Sequence, residues 1–190
     1  HNKRGHHFEQ VALEKWLHAG KVLFKTQKVD AWARKSEWAA LPALLDLATQ
    51  EGLPLSLRTD TVPAGTDTLR ALARAGLAGV FYCPAHAESS ALQQCIAACH
   101  TAQVPLRVQL TAPLGPGLTS DYLAECLAEG GVVSVNLALH DPFLPAIRHT
   151  GGTDSQATID HLNAIATALD ERGVVVHLLD LPFCMASEAN

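Results

Sequence analysis

Four segments of the chain alternate apolar and polar residues with a period of two: residues 54–60 (PLSLRTD), 105–111 (PLRVQLT), 132–140 (VVSVNLALH) and 174–180 (VVVHLLD). Successive side chains of a strand point to opposite faces. One face therefore collects Leu55, Leu57, Leu106, Val108, Leu110, Val133, Val135, Leu137 and Leu139. The other collects Ser56, Arg58, Asp60, Arg107, Gln109, Thr111, Ser134, Asn136, His140 and His177.

Between these segments the period changes to that of a helix, over residues 8–19, 36–51, 65–75, 89–101, 119–129 and 153–172. Several of the helices stop at glycine: Gly52, Gly76, the pair Gly130 and Gly131, and Gly173. Two more apolar runs, 21–27 (KVLFKTQ) and 79–83, read as strands, and Thr153 with Gln156 reads as a helix cap. Alternating strands and helices predict parallel strands joined by right-handed crossovers.

The apolar parity must face the helices, which leaves the polar parity to line an inner face. A doubly wound sheet is covered on both sides and its strands read as continuous apolar runs, so a barrel fits better. A complete eight-stranded barrel takes about 250 residues, and this chain has 190. The expected fold class is α/β, a partial (β/α)6-type TIM-like barrel with parallel strands. We read residues 1–190 as one domain, a fragment or an N-terminally incomplete form, since the only methionine is Met185.

Unpaired polar groups are costly to bury, so a polar inner face implies a ligand or water. Function in such barrels sits at the carboxyl ends of the strands. This rule selects Gln27 with Lys28, Arg58 with Asp60, Cys83 with His86, Gln109 with Thr111, Asn136, His140 with Asp141, and His177 with Asp180. Arg58 and Arg107 offer guanidinium forks suited to a carboxylate or phosphate, or to a structural bridge. Arg107, Gln109 and His177 are the expected substrate contacts. His140, Asp141 and His177 are a conceivable mononuclear metal set, although no H-x-H or H-E-x-x-H spacing supports it.

Composition narrows the classes. The net charge is −5 with 17% charged and 48% hydrophobic residues, and no basic run is present, so nucleic acid is not an expected partner. No apolar run reaches the roughly 18 residues of a membrane span, so no membrane partner is expected and the expected location is cytoplasmic. Five cysteines, an odd number, read as reduced thiols, and Cys95 and Cys99 sit one helical turn apart. His1, His6 and His7 read as a solvated terminus, Gly151 and Gly152 as an anion nest or a flexible helix entry, and Trp16, Trp32 and Trp38 as packing residues.

Four places resemble the radical S-adenosylmethionine superfamily. They are 55–61 (LSLRTDT) with 69–80 (LRALARAGLAGV), 132–140 running into 141–150, 149–159 (HTGGTDSQATI), and 173–184 (GVVVHLLDLPFC). The resemblance implies S-adenosylmethionine and a [4Fe–4S] cluster as cofactors, with Gln27, Arg58, Asp60, Asn136 and His140 positioning S-adenosylmethionine or substrate. The family's C-x3-C-x2-C ligands are absent from this sequence, and residues 28–32 (KVDAW) replace its Gly-Gly-Glu-Pro segment. Two other readings stay open: a metal-dependent isomerase or lyase barrel, and a non-catalytic barrel retained for binding or assembly. The expected partners are a small-molecule or peptide substrate and a partner chain completing the barrel.

Overall fold

The computed structural model describes residues 10–24, 27–62, 65–84, 86–112, 114–115, 117–138 and 155–179. Helix α1 (Gln10–Phe24) is followed by strand β1 (Val29–Trp32), a 3-10 turn (Lys35–Ala40) and α2 (Leu41–Gln50). Strand and helix then alternate through β2 (Leu55–Thr59), α3 (Thr66–Arg74), β3 (Leu77–Tyr82), α4 (Ser89–Ala102) and β4 (Leu106–Thr111). The series closes with α5 (Ser120–Glu129), β5 (Ser134–Ala138), α6 (Ser155–Asp170) and β6 (Val175–Leu179).

The six strands form one parallel sheet in the order β1-β2-β3-β4-β5-β6. A doubly wound sheet reverses its strand order at a switch point; a sequential order with right-handed crossovers puts every helix on one face. The chain is thus an α/β fold of the partial TIM-barrel type.

The expected parity holds within the strands; Val133, expected on the apolar face, lies just before β5 and is 54% exposed. Leu57, Val80, Val108, Leu110, Val135 and Leu137 are fully buried, and their cluster includes Leu45 of α2, Leu69 of α3, Cys95 of α4, Leu127 of α5 and Ile165 of α6. Burying a leucine side chain of this kind stabilises by about 2 kcal/mol, so the helices hold the sheet by one face only. The glycine stops also hold: Gly52, Gly76, Gly131 and Gly173 follow α2, α3, α5 and α6 with positive φ. Proline at position 42 lies in the first turn of α2, where its missing N–H is not needed.

The amino-terminal region departs from expectation. Residues 21–24 of the expected first strand continue α1 instead. A short apolar run fits a strand or a helix equally by periodicity, and here tertiary contacts decide. Leu17 packs on Leu47 and Leu53, Nδ1 of His18 lies 3.3 Å from Oε2 of Glu51, and Lys21 Nζ donates to the Glu51 carbonyl oxygen. The helix is thereby fastened to the α2–β2 turn at the amino end of the sheet. The sheet takes residues 29–32 in its place, pairing Val29 with Leu55 and Trp32 with Arg58. The helix expected over 36–51 divides into the 3-10 turn and α2.

Candidate functional site

The inner face is built from rungs that cross the sheet. Strand register places Trp32, Arg58, Phe81, Arg107, Ser134 and Val175 side by side, one from each strand. Four of these alternate ring and cation. The Arg58 guanidinium carbon lies 5.5 Å from the Trp32 ring centroid and 4.9 Å from that of Phe81; that of Arg107 lies 5.0 Å from Phe81. Cation–π contacts of this kind contribute about 0.5–2 kcal/mol each. They also hold each guanidinium flat, which a lysine cannot reproduce.

Toward the carboxyl ends, the next rung carries Gln109, Asn136 and His177, in register on β4, β5 and β6. Arg58 Nη2 donates to Oε1 of Gln109 at 3.2 Å. Gln109 is only 2% exposed, and its Nε2 is buried without a hydrogen-bond partner. Asn136 is half-buried and His177 is exposed. Arg107 is engaged from below, where Nη2 lies 3.1 Å from Oδ1 of Asp30 on β1.

A cavity of about 500 Å³ opens at the carboxyl ends of β1 and β2, lined by Arg34, Ser36, Asp60 and Thr61. Asp60 lines it, and its Oδ1, which has no solvent-accessible surface, has no hydrogen-bond partner. Nearby, Tyr82 takes the opposite parity to Phe81; burial, helped by Cys95, Asp60 and Glu88, pushes its hydroxyl up to about 12.

The structure therefore brings Arg58, Arg107, Gln109, Asn136 and His177 onto one face, with Asp60 at its rim. Gln27 is separated from them: it is exposed and precedes β1, at the opposite end of the sheet from Asp60. His140, Asp141, Asp180, Thr153, Cys184, the three terminal histidines and the Gly151–Gly152 pair lie outside the described residues. Asp30 and Phe81 escaped the sequence reading, which took Trp32 for a packing residue only. Placing the first strand at 21–27 hid Asp30 and Trp32, whose alternation with Val29 and Ala31 was the available signal. Phe81 sits in the apolar run of β3, where an inward ring looks like any core residue.

The described cysteines do not resemble cluster ligands. Cys83, Cys95 and Cys99 are buried and Cys126 is half-buried. Hydrogen bonding to Cys99 and burial push the Cys95 thiol well above its usual range, so it is not a thiolate. Among the described residues no three His, Cys, Asp or Glu side chains group as a metal site. No described helix is long and apolar enough to cross a membrane.

No family model matches the sequence, and no curated protein matches it either. Solved structures do share its fold, that of β/α barrels. An N-acetylneuraminate lyase from Mycoplasma synoviae superposes with a TM-score of 0.58 at 8% identity, over 90% of this chain and 56% of the lyase. An HpcH/HpaI aldolase/citrate lyase family protein from Burkholderia cenocepacia gives 0.55 at 14% identity, over 89% of this chain and 75% of its own. The carboxyl transferase domain of Rhizobium etli pyruvate carboxylase, with pyruvate and biocytin, gives 0.54 at 11% identity, over 87% of this chain and 31% of its own. The chain thus spans about a third of that carboxyl transferase.

These neighbours correct the resemblance to the radical S-adenosylmethionine superfamily, and with it S-adenosylmethionine and the [4Fe–4S] cluster as cofactors. The misleading motifs have a physical origin. Residues 69–80 place Gly76 at φ 100° between α3 and β3, and any barrel unit needs such a helix stop before its next strand. They specify the β/α unit and not its chemistry.

Proposed function

We propose that this chain is the substrate-binding part of a lyase- or aldolase-type β/α barrel that acts on a small carboxylate of the 2-oxo acid kind. The observation that carries the reading is Gln109. Its carbonyl oxygen accepts from Arg58, while its Nε2, in a residue only 2% exposed, donates to nothing. An unsatisfied buried donor costs about 1–3 kcal/mol, and an acceptor arriving on the inner face would recover that cost. A carboxylate or keto oxygen supplies such an acceptor. Asn136 and His177 share the rung with Gln109, and a fixed cation on the floor favours an anionic ligand.

The neighbours support this reading at the level of class: two are named as lyase or aldolase family proteins, and the third was solved with pyruvate. Calorimetric titration of the chain with pyruvate is the direct test. Saturable binding is expected. Gln109→Met, which keeps the volume and deletes the donor, should weaken it about tenfold. Absence of heat over the millimolar range, or a Gln109→Met variant that binds as well as the parent, would overturn the reading.

A further inference from the structure

The rim cavity at the carboxyl ends of β1 and β2 has a chemistry of its own. Neither Arg58 nor Gln109 lines it; among the described residues its walls are Arg34, Ser36, Asp60 and Thr61. Both walls are fixed. The Ala33 N–H donates to the Arg58 carbonyl oxygen at 3.0 Å, tying the segment after β1 to β2. The Arg34 N–H then donates to Oε2 of Glu37 at 2.8 Å, which starts the 3-10 turn carrying Ser36. Opposite, the Thr61 N–H donates to Oγ1 of Thr59 at 3.2 Å, and the two threonine hydroxyls lie 3.1 Å apart. Asp60 is held between them.

Asp60 Oδ1 is shut off from solvent without gaining a donor, which leaves the carboxylate's charge uncompensated at the cavity wall. A carboxylate in that state is compensated best by a cationic donor at its accessible oxygen. The guanidinium of Arg34 on the other wall gives the cavity a positive side as well. A plain carboxylate would satisfy Arg34 but set its charge near Asp60, and a plain amine would do the reverse. We propose that the cavity binds a zwitterion, a free amino acid. Its ammonium donates to Asp60, its carboxylate accepts from the Arg34 fork, and Ser36 and Thr61 flank it. The cavity's 500 Å³ or so leaves room for a side chain.

The test is calorimetric titration of the full chain with a panel of the twenty L-amino acids, with ethylamine and propionate as half-ligands. At least one amino acid should bind, with both half-ligands about tenfold weaker or worse than L-alanine. Asp60→Asn and Arg34→Gln should each weaken the amino acid about tenfold or more, and Arg34→Gln should leave the pyruvate titration unchanged. Circular dichroism confirms that each variant is folded, and either variant alone suffices. Silence from every amino acid, propionate binding as tightly as L-alanine, or folded variants that bind as well as the parent would overturn the proposal. Loss of the pyruvate signal alone would bear only on the floor of the barrel.

Discussion

Arg58 on β2 reaches over β3 to donate to Gln109 on β4, 51 positions along the chain, at 3.2 Å. The pair spans a strand whose own contribution is the Phe81 ring beneath the guanidinium. Gln109→Glu replaces the unpartnered Nε2 by a second acceptor and makes the bond to Arg58 charge-assisted. A gain of about 1 kcal/mol is expected, seen as a rise in melting temperature of about 2–4 °C. The new negative charge should also abolish pyruvate binding. A variant that melts lower than the parent would show that Arg58 does not carry the pair.

Tyr82 makes stability fall at high pH. Its hydroxyl is held near 12 in the folded chain, against 10.0 for a free tyrosine, chiefly by burial. Below pH 10 both states keep the proton, and the contribution is fully present. Between 10 and 12 only the unfolded state loses its proton, so stability declines, by on the order of 2 kcal/mol in all. Denaturant titrations across that window should show the decline, and Tyr82→Phe should remove that share of it.

Gly130 closes α5 against α4. A Cβ there would stand 2.4 Å from Cγ2 of Ile96 and 2.8 Å from the Cys126 carbonyl oxygen. Gly130→Ala is expected to cost about 1–3 kcal/mol by overpacking. The double variant with Ile96→Ala should cost less than the sum of the single variants, because the second change removes the nearest clash. Additive costs in urea unfolding would place the strain elsewhere.

Gln103 ends α4 in the left-handed region, with φ 56° and ψ 39°. It takes the place that glycine holds after the other sheet-covering helices, as with Gly52 after α2. A side chain in that conformation costs about 1–2 kcal/mol, of which glycine's extra freedom in the unfolded chain takes back part. Gln103→Gly should therefore stabilise by about 0.5–1 kcal/mol, measured as a shift in urea midpoint with an unchanged slope.

Much of this protein was legible from local pattern. The twofold alternation in 55–59 and 106–110 determined which side chains face the helices, because a strand has only two faces. The glycines at 52, 76, 131 and 173 marked where helices stop, because their backbone angles suit few other residues. The polar character of the inner face, with Arg58, Gln109 and Asn136 on it, followed from the same parity. The short stretch 21–32 misled, because a few apolar residues fit either period and only tertiary contacts, of Leu17 with Leu47 and Leu53 and of His18 and Lys21 with Glu51, select the helix.

Tertiary structure decided which of the inward residues meet. Strand register sets Trp32 beside Arg58 and Phe81 beside Arg107, and joins Arg58 to Gln109 across β3. It also draws Asp30 to Arg107, 77 positions away, and so engages a guanidinium otherwise expected to meet substrate. Such pairings depend on how separate strands align. Each strand's own alternation specifies a face but not the neighbour across it, so only the assembled sheet determines that Arg58, Gln109 and the aromatic rings form one floor.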